Sequence, residues 1–220
     1  MTDKPGRAKL FSWHYLIYDF VKVTASLPGI VWYRPKIVYE NKKAKKKIRG
    51  GAILISNHIG FFDPVPLQFV VWYRRHHFIV GRELTEAKNG WILKKFLCIP
   101  IDRNNTGIGT IREITAKLKA GEMITMFPEG HIGDSNGVAA FKSGMVLMAV
   151  QSKRPIVPVY IQEKKRFWNR LRAAVGEPID VCAMFGARPT FKEIEQAAEL
   201  LHKKEEELER LIQQTRRDKK

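Results

Sequence analysis

Apolar residues fall into two alternating patterns along the chain. Short runs rich in β-branched residues occur at 36–39, "AILIS" (52–56), "HHFIVG" (76–81), "CIPID" (98–102), "MITMF" (123–127) and "PIVPVYI" (155–161). Bounded by Gly, Pro and charged residues, they predict strands. Segments with helical spacing lie between them. Asp63-Pro64 offers an N-cap and an N1 proline for a helix from 64 to about 73. "NGWILKKFL" predicts a short helix, Thr106 to Leu118 a longer one stopped by Gly121, and "SGMVLMAVQ" another. This alternation predicts an α/β fold: a mixed, largely parallel sheet covered by helices. Chemistry in such a fold belongs at the strand-to-helix turns along one sheet edge.

Both ends of the chain carry amphipathic patterns. From Thr190, "TFKE" has the form of a capping box with Glu193 at N3. Ile194, Ala197, Leu201, Leu208 and Ile212 then give an apolar face for docking on the core. Near the start, a helix over 9–27 places Leu10, Trp13, Leu16, Ile17, Phe20 and Val23 on one broad face, and Pro28-Gly29 is expected to break it. Asp19 and Lys22 interrupt the apolar run, so it falls short of the ~20 residues of a spanning helix. They also weaken a secretory-leader reading built on Lys4, Arg7, Lys9 and the small residues at 24–26. The pattern suits either a cap on the protein's own core or an N-terminal amphipathic helix in a membrane interface. The expected organisation is a membrane-associating segment at 1–35, an α/β core at 36–189 and a charged helix packed on that core at 190–220.

Charge favours the membrane setting. The 220 residues carry a formal net charge of +17, a field that gathers phosphates, nucleic acid or acidic headgroups. The run "NKKAKKKIRGG" reads as a solvated turn between two strands that could also touch anionic lipid. A nucleic-acid-binding protein is the rival of a different class, but no zinc, helix-turn-helix or aromatic RNA-binding signature supports it. Cys98 and Cys182 lack metal-type spacing and suggest no disulfide framework.

Two turns hold candidate chemistry. In "ISNHIGFFDP" a strand is followed by His58, and Asp63 stands at the start of the next helix. A carboxylate on one imidazole nitrogen would fix the tautomer and leave the other nitrogen facing a cleft. The plainer alternatives are an N-cap aspartate beside a hydrogen-bonded turn histidine, or half of a metal site. The adjacent His76 and His77 point to opposite faces of a strand and supply no third ligand, so no metal is expected. The second turn, "FPEGHIGDSNGVAAFKSG", presents Glu129, His131 and Asp134, then Lys142, where backbone amides and the lysine could meet an anion.

In order and spacing, "SNHIGFFD", "GRELTEAKNGWILKKFLCIPIDR", "FPEG" with "FKSG" following, and "PIVPVYI" resemble the four blocks of the glycerolipid acyltransferases. More narrowly they resemble the 1-acylglycerol-3-phosphate O-acyltransferase family, over roughly residues 50 to 162. The resemblance implies His58 and Asp63 as the catalytic pair, with Asn57 ahead of it. It implies Arg103 as the arginine associated with the acceptor's phosphate, Glu129 and Gly130 as acceptor-binding residues, and Pro158 as the fourth-block proline. It implies transfer of an acyl group from acyl-CoA or an acyl carrier protein, with no cofactor, to a lysophospholipid at an anionic membrane surface. The protein would then sit peripherally or monotopically on the cytoplasmic face of the cell membrane. Three departures stand out: His131-Ile132 replaces the usual Thr-Arg, Gly60 a frequent serine, and Arg82 a frequent lysine. Arg82, Lys142 or His131 would have to supply the missing phosphate charge. Glycerol-3-phosphate or another lysolipid is the alternative acceptor, and an inactive lipid-binding homologue the alternative role.

Overall fold

The computed structural model describes residues 15–60, 63–88, 90–102, 107–128, 138–162 and 168–217. Among these, seven strands form one sheet: β1 (Lys36–Tyr39), β2 (Ala52–Ser56), β3 (His76–Gly81), β4 (Ile99–Ile101), β5 (Met123–Met126), β6 (Ile156–Gln162) and β7 (Arg172–Val175). Their spatial order is β1-β7-β6-β2-β5-β3-β4. Every pairing is parallel except β6 with β7. The mixed, largely parallel α/β fold expected from the sequence is therefore the fold observed. β7 went unread, because "RAAV" is too short and too alanine-rich to show a period.

β2 lies in the middle of the sheet with every residue buried, as a strand covered on both faces must be. Its side chains alternate between two apolar layers. Ile53 and Ile55 meet Ile114, Leu118, Met145, Met148 and Leu201 on one side. Ala52 and Leu54 share the other side with Leu67, Val70, Phe78 and Met123. The first layer is roofed by α5 (Ile108–Lys119), α6 (Val138–Ser152) and α8 (Phe191–Arg217), the second by α2 (Pro64–Val70) and α1 (Leu16–Tyr33). Short helices α3 (Arg82–Glu86), α4 (Gly90–Lys95) and α7 (Val181–Phe185) complete the elements among the described residues.

The helix signals hold where local chemistry decides. After α5, Gly121 takes a positive φ of 92° that suits a residue without Cβ. At the head of α8 the Glu193 carboxylate accepts from the Thr190 N–H at 2.6 Å and the Thr190 hydroxyl at 2.8 Å. The Glu193 N–H reaches back to that hydroxyl at 3.4 Å, completing the capping box.

The expected break at Pro28-Gly29 does not occur. α1 runs through both residues and ends at Arg34, whose φ is 42°. Gly29 here serves close packing: a Cβ at this position would stand 2.4 Å from Cζ of Phe69 on α2. Helix-on-helix contact outweighs the hydrogen bond that Pro28 removes.

Polar contacts anchor the first half of α1. The Tyr18 hydroxyl donates to Gln68 at 3.0 Å and accepts from the His76 N–H at 3.2 Å. Arg75 grips Asp19 with two bonds of 2.8 and 2.6 Å, and Lys22 donates to the Arg74 carbonyl. Burial lowers the Lys22 pKa to about 8. The opposite side is apolar and open, with Phe20 67%, Val23 69%, Leu27 74% and Val31 75% exposed. Among the described residues no helix is long and apolar enough to cross a membrane.

Candidate active site

β2 delivers its C-terminal end to the edge where the parallel strands β3, β4, β5 and β6 also end. Asn57 secures the exit. Its amide donates to the Ile161 carbonyl at 2.9 Å, and its amide oxygen accepts from the Ile161 N–H at 2.8 Å. The side chain thus extends the β2–β6 ladder by one step. Asn57, the residue ahead of the pair that the resemblance implies, ties β2 to β6 immediately before His58.

The chain then turns and Asp63 folds back over it. One oxygen, Oδ2, receives the His58 Nδ1 at 2.7 Å, the Ile59 N–H at 2.6 Å and the Gly60 N–H at 2.9 Å. As N-cap residue of α2, Asp63 makes no side-chain bond into the helix. The simple N-cap reading therefore fails on geometry, and the carboxylate belongs to His58. An ionised carboxylate only accepts, so Nδ1 is the donor in this contact and Nε2 is left for other partners. Two backbone donors hold the carboxylate in position, and it in turn fixes the imidazole.

The ring's face has a second partner that sequence reasoning missed. Phe127, at the end of β5, stacks on His58 with centroids 4.4 Å apart and planes 16° from parallel. Edge and face are both constrained, so the ring is held in one orientation. The signal was present in "FPEG", where the phenylalanine was read as the tail of a strand.

His58 and Phe127 line one end of an apolar cavity of about 650 Å³. Val21 and Ala25 of α1, Phe69 of α2, Val80 of β3, and Leu93 and Phe96 near α4 form its walls, with Lys22, Gln68 and Glu83 as polar members. Cys98 also lines it, and burial pushes that thiol up to about 11, so it stays protonated near neutral pH.

The other expected site residues divide by position. Arg82 is exposed at the first turn of α3, on the His58 edge but not among the residues lining the cavity. Arg103, Glu129, Gly130 and His131 lie outside the described residues, as does the side chain of Lys142 on α6. The strands that precede them, β4 and β5, end at Ile101 and Met126 on the His58 edge. Pro158 sits within β6 opposite Ile55. His76 is held by Thr125 at 2.9 Å and the Val71 carbonyl at 3.2 Å, and His77 lies 3.2 Å from Glu122. Among the described residues no group of His, Cys, Asp and Glu is placed to hold a metal ion.

An apolar cavity ending on a carboxylate-held histidine is an arrangement that suits acyl transfer or hydrolysis of an apolar substrate. Residues 36–162 match the model of the family described as Acyltransferase, and the chain belongs to that family. It is 29% identical over 172 residues to the 1-acyl-sn-glycerol-3-phosphate acyltransferase of Bacillus subtilis, covering 74% of this chain and 84% of that protein. The enzyme of the same name from Limnanthes alba is 27% identical over 183 residues, covering 73% of this chain and 58% of that protein. In fold it resembles the crystal structure of the 1-acyl-sn-glycerophosphate acyltransferase PlsC from Thermotoga maritima. The TM-score is 0.60 with 22% identity, over 92% of this chain and 84% of that one.

Proposed function

We propose that the chain acylates the free hydroxyl of lysophosphatidic acid to give phosphatidic acid. The observation that carries this reading is the His58 Nδ1–Asp63 contact of 2.7 Å at the end of a 650 Å³ apolar cavity, within the acyltransferase family. The names of the bacterial and plant relatives support the acceptor.

In this mechanism Nε2 of His58 takes the proton from the acceptor hydroxyl as its oxygen attacks the thioester carbonyl. Asp63 stabilises the imidazolium that forms. The tetrahedral oxyanion collapses, the C–S bond breaks, and the departing sulfur receives the proton from Nε2. Acid, base and nucleophile are thereby balanced without a covalent acyl-enzyme and without a cofactor. The apolar cavity holds an acyl chain, and Arg103 with Lys142 neutralises the acceptor's phosphate so that the hydroxyl, rather than water, occupies the attack position.

Membrane attachment belongs to the same proposal. The outward apolar side of α1 enters the interface of an anionic membrane, and the cavity behind its inner side opens to lipid. The protein then binds peripherally at the cytoplasmic face, where the thioester donor arrives. Nucleic acid has no place in this scheme, because the positive charge serves lipid and donor phosphates.

The test is product formation by mass spectrometry with lysophosphatidic acid and both acyl-CoA and acyl carrier protein donors, beside His58→Ala. Phosphatidic acid is expected, reduced about 10²- to 10⁴-fold in the variant, the usual range for a lost general base. Equal product from both proteins would remove His58 from the mechanism. The His131-Ile132 departure favours one further arm, a panel of acceptors including glycerol-3-phosphate. Preference for an acceptor without phosphate would overturn the acceptor assignment.

A further inference from the structure

The catalytic edge has two flanks. The residues tied by resemblance to the acceptor follow β4 and β5, on one side of β2. On the other side β6, β7 and β1 present their ends in register, with Gln162 beside Arg172 and Arg172 beside Lys36. The ladder continues into the loops above them, where the Lys36 N–H bonds the Leu171 carbonyl and the Leu171 N–H bonds the Tyr33 carbonyl. Arg34 donates its guanidinium to the Trp168 carbonyl, and Arg170 donates to the Arg34 carbonyl at 3.1 Å. Both partners are neutral carbonyls, so the contacts orient the two arginines without cancelling their charge.

The loops of this strip are poor in acid, with Glu163 directly after Gln162. No Asp or Glu occurs from 20 to 39 or from 164 to 176, while the second stretch alone carries Lys164, Lys165, Arg166, Arg170 and Arg172. Two indoles frame it, with Trp32 57% and Trp168 54% exposed. It also lies near the reacting centre. Tyr33, next to Arg34, packs on Phe69 with centroids 5.7 Å apart. Burial, then the charge of Asp63, raises its phenol pKa. With adjacent strands about 4.8 Å apart, β1 stands about 14 Å from β2, a span that an extended pantetheine arm covers.

We propose that Arg34, Lys36, Arg170 and Arg172, with Trp32 and Trp168, form the docking surface for the nucleotide end of an acyl-CoA donor. This rests on the acyl-transfer reading above. Guanidinium groups bind phosphate oxygens with charge-assisted hydrogen bonds, and an exposed indole offers a face on which adenine stacks. The pantetheine arm then runs along the sheet edge from β1 to β2 and presents the thioester to His58, while the acceptor enters from the β4–β5 flank. An acyl carrier protein matches the charge but has no base to stack, so the tryptophans favour the coenzyme.

The experiment compares the wild-type chain with Arg170→Gln/Arg172→Gln and, as an independent variant, Lys36→Gln/Trp168→Leu. Free coenzyme A is titrated against tryptophan emission, and transfer is measured from acyl-CoA, acyl carrier protein and S-acyl-pantetheine. Both variants are expected to bind coenzyme A about tenfold more weakly or worse, consistent with lost charge-assisted bonds. KM for acyl-CoA rises in proportion, with kcat, acceptor KM and vesicle retention unchanged, and the penalty disappears with S-acyl-pantetheine. Three outcomes overturn the proposal: equal penalties with acyl-CoA and S-acyl-pantetheine, a penalty confined to acyl carrier protein, or loss of vesicle retention with donor KM unchanged. If the wild-type chain transfers from no donor, the acyl-transfer reading fails separately, and the coenzyme A titration alone decides the surface.

Discussion

The two long helices, α1 and α8, turn opposite kinds of face outward. α8 places Leu201, Leu208 and Ile212 against the sheet and turns outward a charged surface with i,i+4 pairs such as Glu199–Lys203 and Glu206–Arg210. α1 turns inward Tyr18, Asp19 and Lys22, which find Gln68, Arg75 and Arg74, and turns outward Phe20, Val23, Leu27 and Val31. α8 is built for water outside. α1 leaves a continuous apolar stripe of the kind that marks an interaction surface, and its position beside the cavity fits the lipid surface proposed for it.

The sharpest test of that contrast is the double substitution Phe20→Asp/Val23→Asp. Each side chain contributes about 1.5–3 kcal/mol when buried in an apolar medium. Recovery on anionic vesicles is therefore expected to fall about 100-fold or more, while the melting temperature stays nearly unchanged. Undiminished co-sedimentation with vesicles would break the comparison. The matching change on the other helix is Leu208→Ala. It removes buried atoms from the α8 contact and is expected to cost about 2–5 kcal/mol of stability, read by denaturant unfolding, without altering vesicle binding.

Gly29→Val tests whether α1 must lie this close to α2. The new Cβ would meet the Phe69 ring, and overpacking of this kind costs about 1–3 kcal/mol. Because Phe69 lines the cavity, transfer with long-chain donors should decline more than stability does. Equal activity for chains of all lengths would show that this wall gives way freely.

How much of this was legible in the sequence depends on how local each cause is. β2, β3, β5 and β6 announce themselves because strands buried on both faces carry short, mostly apolar runs such as Phe78-Ile79-Val80 in β3. The Thr190–Glu193 box and Gly121 act within one turn, so their residue types suffice. His58 and Asp63 were visible as a spacing, but the spacing allowed N-capping equally well. Only the fold of the turn, with one carboxylate oxygen receiving three groups, decides between them. The stripe on α1 was readable, yet periodicity separates two faces without saying which one docks. Its docking partners lie about fifty residues further along the chain and depend on tertiary structure. Pro28 misled for the same reason, since the contact of Gly29 with Phe69 is not local. The stacking of Phe127 on His58 joins β5 to the turn after β2, and no single segment contains it.

The smallest expected effect concerns acid, and it enters beneath α1 rather than α8. His76 is fully buried against Thr125 and the Val71 carbonyl, and burial lowers its pKa to about 3. His77 is buried beside Glu122 and Tyr15, and burial, outweighing the attraction of Glu122, lowers its pKa to about 4. Both are neutral in the folded state and take up a proton near pH 6.5 when unfolded. The unfolded chain thus binds more protons below that pH, so stability present above pH 6.5 is lost progressively as pH falls toward 4 and then 3. Each histidine contributes at most about 1.4 kcal/mol per pH unit. Tyr18 ties α1 directly to the His76 backbone, so hydrogen exchange at pH 5 should release α1 amides before those of α8. His77→Asn should reduce the acid sensitivity by roughly half. Simultaneous release of both helices, with the same pH dependence in the variant, would place the acid-sensitive groups elsewhere and leave the two helices alike in this respect.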